Sequence, residues 1–183
     1  MKILHHPVER RICVRAKQLF TFYRGSTFHM YREGDYEEYK SYNVSENTEA
    51  KWVQEMIDIY TDELSIWGWE AVYCLGSIAR DFKDIRILRN VVSFASRHIM
   101  SADSIVKLMY AEGILAILKS IKGEITKELL YETLKTTKLI LDDIISKPLI
   151  IDPGHELESY NLKDKKSLNL RAAKSIEELK SFL

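Results

Sequence analysis

Apolar side chains recur every three or four positions through most of the sequence between residues 48 and 146. This spacing gives each helical segment one apolar face and one polar face. The clearest stripe consists of Leu130, Leu134, Thr137, Leu141 and Ile144. Seven glycines and three prolines are also too few for the many tight turns of an all-β chain. The sequence therefore predicts an all-α fold, either a compact helical bundle or a short superhelix.

Breaks in the pattern and capping residues predict about seven helices in a single domain. The predicted helices cover residues 7–23, 48–65, 69–82, 84–98, 101–123 and 124–145, and a short last helix is capped by Ser175 and Glu178. Gly113 is expected to bend the fifth of these or to divide it in two.

The remaining segments are predicted to be irregular. Residues 24–47 contain two glycines and no clean period, so we expect a tyrosine-rich loop there. The domain would then consist of an N-terminal helix and this loop at 1–47, a helical core at 48–146, and a connector with the last helix at 147–183.

Gly76 lies inside the predicted helix WEAVYCLGSIARD, residues 69–81. A glycine within a helix costs ~1 kcal/mol relative to alanine, so its position calls for a reason. Gly76 shares the apolar side of the helix with Val72, Leu75 and Ala79. We therefore predict a close helix crossing at Gly76 that a larger side chain would overpack.

Two stretches resemble helical-repeat proteins of the armadillo and HEAT families. They are WEAVYCLGSIARD and MYAEGILAILKSIKGEITKELLYETLKTTKLILDD, which lie within residues 69–143. A repeat helix in these families often carries a pattern similar to Ala71, Leu75, Gly76 and Ile78, and a second helix often begins after a glycine, as at Gly113. The resemblance implies a short armadillo-like or HEAT-like superhelix and a protein-binding function.

Acidic and tyrosine side chains are concentrated near the end of the predicted loop. Residues 33–70 hold eleven acidic side chains against Lys40 and Lys51. Acidic segments attract basic partners, and tyrosine supplies a large contact area at low entropic cost. We predict a surface for a basic partner protein that comprises Tyr36, Tyr39, Tyr42, Glu55, Asp58 and Asp62. The chain would act as an adaptor or as an inhibitor of the immunity type; the alternative is a loop packed on its own domain with solvated carboxylates.

The first 32 residues are basic, with seven Lys or Arg side chains against Glu9. Basic side chains interleaved with aromatic ones can bind a nucleic-acid backbone and stack on its bases. The alternative function is therefore a nucleic-acid-binding regulator that uses Arg10, Arg11, Arg15, Lys17 and Arg24. The net charge of zero for the whole chain weakens this interpretation.

Chemical motifs are sparse in the sequence. His5, His6 and Cys13 invite a metal or catalytic role, but adjacent histidines diverge and the second ligand pair of a closed zinc site is missing. GxGxxG, Walker-type and GxSxG motifs do not occur. We therefore expect a protein that is not an enzyme and that holds no cofactor or metal.

The cellular compartment is expected to be the cytoplasm. No apolar run approaches the ~18 residues of a membrane span, so we expect no membrane partner. The chain has only two cysteines, Cys13 and Cys74, and a reducing compartment is the simplest environment for them.

Overall fold

The computed structural model describes residues 7–121, 123 and 125–182, with side chains described from residue 14 onward. These residues form an all-α fold, as predicted. Their α-helices are α1 (Pro7–Phe22), α2 (Thr27–Glu33), α3 (Tyr36–Ser41), α4 (Glu46–Asp62), α5 (Glu70–Phe82), α6 (Ile85–His98), α7 (Ser104–Ile121), α8 (Lys127–Ser146) and α9 (Lys165–Lys180). No helix in this part of the chain has the length and apolar character needed to cross a membrane.

Helices α2 and α3 lie where the sequence predicts a loop, so that prediction is wrong. The Ser26 hydroxyl accepts a hydrogen bond from the backbone N–H of His29 at the start of α2. Gly34 ends the helix in the left-handed conformation, with φ of 89°. In α3, the side chain of Tyr39 is buried. Both helices are too short to show a period; α2 depends on its two caps and its buried Met30, and α3 depends on the burial of Tyr39.

Contacts divide the chain into two compact units, Met1–Ile59 and Tyr60–Leu183. The boundary falls near the end of α4, whereas the sequence placed a division after residue 47, near the start of the same helix. An aromatic cluster forms the core of the N-terminal unit. The ring centroid of Phe20 lies 5.9 Å from that of Tyr39 and 5.5 Å from that of Trp52.

Helix α7 is the central element of the C-terminal unit. It packs against α5, α6, α8 and α9. A helix surrounded in this way must be apolar on most of its circumference. Its fully buried side chains include Ile105, Leu108, Tyr110, Ile114 and Leu118. The buried Lys107 forms an ion pair of 2.8 Å with Asp143 of α8, which satisfies both charges away from water.

The tightest contact that a glycine makes between α5 and α7 occurs at Gly113. A Cβ atom at Gly113 would overlap Cγ1 of Val72, whereas one at Gly76 would lie 3.7 Å from Cγ1 of Ile117. The second distance is an ordinary van der Waals contact. The predicted crossing therefore centres on Gly113, and the assignment of the close approach to Gly76 is wrong. Gly113 does not divide α7, which runs unbroken from Ser104 to Ile121.

The connector between α8 and α9 is attached to the first turn of α7 through Asp103. One carboxylate oxygen of Asp103 accepts a hydrogen bond from the backbone N–H of Val106 at 2.7 Å. The other oxygen accepts the backbone N–H of Asp152 at 3.0 Å and contacts Nδ1 of His155 at 2.6 Å. Asp103 therefore caps α7 and fixes the connector with the same side chain.

The last helix is longer than the sequence predicts. Asp164 and Ser167 form its capping box, with the Ser167 backbone N–H donating to Asp164 Oδ1 at 2.7 Å. Ser175 is buried within α9 and donates to the carbonyl of Arg171 at 3.3 Å. The predicted cap at Ser175 is therefore wrong, because an earlier Asp–Ser pair supplies the capping box.

The crossing at Gly113 can be tested with two matched substitutions. We expect Gly113→Ala to lower the free energy of unfolding by about 1–3 kcal/mol, because the added methyl group meets the stiff side chain of Val72. Gly76→Ala should be neutral or stabilising by up to ~1 kcal/mol, because alanine favours the helix and space is available. Urea denaturation of both variants measures the difference, and equal effects would contradict the assignment.

Candidate functional site

Tyr39 and Tyr42, two members of the predicted partner surface, are engaged within the N-terminal unit. Tyr39 is 5% exposed, and its hydroxyl donates to Glu49 of α4. The Tyr42 hydroxyl donates to Glu38 Oε1 at 2.7 Å. Burial removes Tyr39 from any surface of the folded unit, so its inclusion in the partner surface needs correction. Packing of this segment on its own domain was the alternative left open by the sequence, but which tyrosine would be buried could not be predicted, because the segment has no clean helical period.

Ion pairs within the N-terminal unit join its basic and acidic segments. Arg15 donates to both carboxylate oxygens of Glu38, at 2.8 and 3.1 Å, and Lys17 pairs with Glu55. The sequence of this unit holds nine basic and nine acidic residues. Glu38 and Glu55 of the acidic block are therefore neutralised by basic side chains of the same unit, and these two carboxylates do not form an isolated negative surface.

Tyrosine hydroxyls also donate to carboxylates in this unit, which changes their titration. Tyr23 donates to Asp35 Oδ2 at 2.6 Å, and this hydrogen bond raises the pKa of Tyr23 to about 12. Burial and the hydrogen bond to Glu49 raise the pKa of Tyr39. Hydrogen bonds from Arg15 and Tyr42 lower the pKa of Glu38. All of these shifts favour the neutral phenol beside the ionised carboxylate.

The basic residues that were predicted to bind nucleic acid have different environments where their side chains are described. Arg15 and Lys17 would have to leave their carboxylate partners before they could contact phosphate. Arg24 is half-buried, and its Nε has no hydrogen-bond partner among the described residues. The side chains of Arg10 and Arg11 lie outside the described part of the structure, as do His5, His6 and the thiol of Cys13.

An exposed aromatic surface is present on α2 and at the start of α3. Phe28 and Tyr31 are 68% and 74% exposed and lie three positions apart on α2. The half-buried Tyr36 meets Tyr31 edge to face, with 6.4 Å between ring centroids. We call these three residues the α2 aromatic face. Only Tyr36 of the three was predicted from the sequence, because the i, i+3 spacing of the other two has meaning only once the segment is a helix.

The acidic stripe of α4 is exposed and has an apolar member. Ile59 is 55% exposed and follows Asp58, whose carboxylate accepts a hydrogen bond from Gln54 at 2.8 Å. Glu55 lies one turn earlier and pairs with Lys17. Asp62, the last residue of α4, is exposed and belongs to the C-terminal unit.

A groove of about 560 Å³ lies between α5 and α7 in the C-terminal unit. Gly76, Gly113 and Ala116 line its middle, where the absence of larger side chains leaves space between the helices. Trp69 and Tyr73 lie near the start of α5, and Arg80 lies near its end. We call this feature the α5–α7 groove. The groove could not be predicted from the sequence, because it depends on two glycines of different helices.

Side chains outside the groove hold two of its lining residues, Glu112 and Trp69, in place. Glu112, on its wall, accepts two hydrogen bonds from Arg171 of α9, at 2.6 and 2.7 Å. The ring of Trp69 packs against Tyr160 and His155, with centroid separations of 5.0 and 5.3 Å. These contacts fix one end and one wall of the groove. No cluster of side chains in the described part of the chain could hold a metal ion.

Comparisons with protein-family models, with curated proteins and with solved structures found no match. The resemblance to armadillo and HEAT repeats therefore stays a prediction. The function must be argued from the two surfaces and the groove described above.

The hydrogen bond between Tyr23 and Asp35 predicts how the stability of the protein changes at alkaline pH. The pKa of Tyr23 lies at about 12 in the folded protein and at about 10 in an unfolded chain. Its contribution to stability is therefore complete below pH ~10 and is lost as the pH rises towards ~12. We expect the free energy of unfolding of Tyr23→Phe, measured by urea denaturation, to fall less than that of the wild type between pH ~10 and pH ~12. Tyr131→Phe, at an exposed position on α8, is the control, and an equal response of both variants would contradict the assignment.

Proposed function

We propose that this chain is a non-enzymatic protein-binding module that captures its partner through the α2 aromatic face. The exposure of Phe28 and Tyr31 carries the proposal. Both rings project from a helix whose Met30 is buried, so the helix is oriented by its own core and presents these rings to solvent. Exposed apolar surface that several neighbouring residues share commonly marks an interaction site.

The chemistry of the face suits a binding hot spot. Phenylalanine and tyrosine lose few rotatable bonds when they become ordered, and aromatic side chains are enriched in interfaces. The edge-to-face contact with Tyr36 already restricts Tyr31, which lowers the entropic cost of binding. A rigid aromatic anchor of this kind often accounts for most of the affinity of an interface.

The surroundings of the face favour a partner with basic groups. Residues 27–41 hold four acidic and two basic side chains. Glu37 is exposed and has no cationic partner among the described residues, and Glu33 pairs only with its exposed neighbour Arg32. Such rim carboxylates act mainly on the rate and specificity of association. The exposed carboxylate of Asp58 on α4 would add to the attraction, in an adaptor or an inhibitor of the immunity type.

Site-specific photo-crosslinking tests the position of the interface. A photoreactive phenylalanine analogue is placed at Tyr31, or at Tyr131 of α8 as a control of similar exposure, in cells that make the protein. We expect the analogue at position 31, and not at position 131, to form a covalent adduct with one protein, which mass spectrometry then identifies. Equal labelling from both positions, or none from position 31, would contradict the proposal.

The identified partner then permits a measurement of affinity. We expect the Phe28→Ala, Tyr31→Ala double variant to bind at least about tenfold more weakly in calorimetry, because truncation of a hot-spot residue costs ~2 kcal/mol or more. Tyr131→Ala should bind as the wild type does. Far-UV circular dichroism checks that the double variant is folded, and a folded double variant with full affinity would refute the role of the face.

A further inference from the structure

The α5–α7 groove has a direction that follows from its two glycine contacts. Gly113 faces Val72, and Gly76 faces Ile117 one turn later on both helices. The two helices therefore run in the same direction along the groove. Trp69 lies level with the first half of α7, and Arg80 lies level with its last turn, near Lys119 and Ser120. From Trp69 to Arg80 the groove extends about 16 Å along α5.

The two ends of the groove differ in chemistry. Trp69, Tyr73 and Met109 supply aromatic and thioether surface at one end, and small residues line the middle. The other end carries Arg80 and the hydroxyl of Ser77. The groove is therefore amphipathic along its length, which suits an elongated ligand with one polar end better than a compact one.

Three charged side chains line the groove, and two of them are neutralised by ion pairs. Glu112 is neutralised by Arg171, and Lys119 forms an ion pair of 2.9 Å with Glu178. Arg80 is exposed and has no carboxylate partner among the described residues. An arginine fork binds a carboxylate through two parallel hydrogen bonds, which a neutral head group cannot replace.

We propose that the α5–α7 groove binds one molecule of a long-chain carboxylate, with its alkyl chain over Gly76 and Gly113 and its head group on Arg80. The volume of about 560 Å³ lies within the range of small-molecule sites, which are mostly apolar with few polar groups. This ligand site belongs to the C-terminal unit and is independent of the protein-binding face on α2. It adds a small-molecule activity to the proposed binding module.

Titration with dodecanoate below its micelle concentration tests this site on the full chain. We expect saturable binding of one molecule in calorimetry. The amide chemical shifts of Trp69 and Gly113 should change in proportion to the fraction of protein that is bound. Arg80→Gln should weaken binding about tenfold, because a charge-assisted pair is lost. Arg89→Gln, an exposed substitution on α6 away from the groove, should bind as the wild type does. Dodecanol should bind the wild type and Arg80→Gln equally, since it has no carboxylate.

A second variant tests the path of the alkyl chain. Gly76→Leu should abolish dodecanoate binding, because its side chain extends into the groove from a position where a Cβ atom fits. Gly76→Ala should retain most of the affinity. The proposal fails if the wild type does not bind dodecanoate, if Arg80→Gln and Arg89→Gln are equally affected, or if folded Gly76→Leu binds normally. It also fails if the protein sediments with dodecanoate-containing phospholipid vesicles and does not bind the free acid, since the ligand would then be a lipid surface.

Discussion

The packing of α5 on α7 at Gly113 is the constraint on which the C-terminal unit depends. Helix α7 contacts four other helices, so a displacement of its axis would disturb all of them. Close approach at Gly113 is possible only because glycine has no side chain to meet Val72. The same absence of side chains at Gly76, where the backbones are less crowded, leaves the space that becomes the groove. One pair of helices therefore provides both a tight contact at Gly113 and the α5–α7 groove.

The N-terminal unit is organised by pairing between segments of opposite charge. Arg15 and Lys17 of α1 bind carboxylates of α3 and α4, and tyrosine hydroxyls donate to neighbouring acids. Exposed ion pairs contribute little free energy individually, so the buried apolar side chains around Phe20 must supply most of the stability. The polar pairs instead fix which helix faces lie inside. Among the aromatic side chains that remain exposed in this unit, Phe28 and Tyr31 lie on α2 and are available to a partner.

The sequence was sufficient to predict the features that depend on long helical periods and local caps. The all-α class and the helix predicted over residues 84–98 are examples, and the structure has that helix at Ile85–His98 with Asp84 as its N-cap. It was insufficient where tertiary contacts decide the outcome. The sequence predicts that Tyr39 lies on the surface, whereas in the structure α3 places it against Phe20. Gly113 could be distinguished from Gly76 only by the distance between a Cβ atom built at that position and Val72. The groove combines residues of two helices whose alignment no local pattern specifies.

A double-mutant cycle between Val72 and Gly113 tests the central constraint most directly. The free energies of unfolding of the wild type, Val72→Ala, Gly113→Ala and the double variant are compared under the same conditions. Shortening Val72 should relieve the overlap, so that Gly113→Ala destabilises the wild type but is neutral or stabilising in the Val72→Ala background. The account expects a coupling of about 1 kcal/mol or more between the two positions. Additive effects within experimental error would show that the two helices do not meet at Gly113, and would contradict the account.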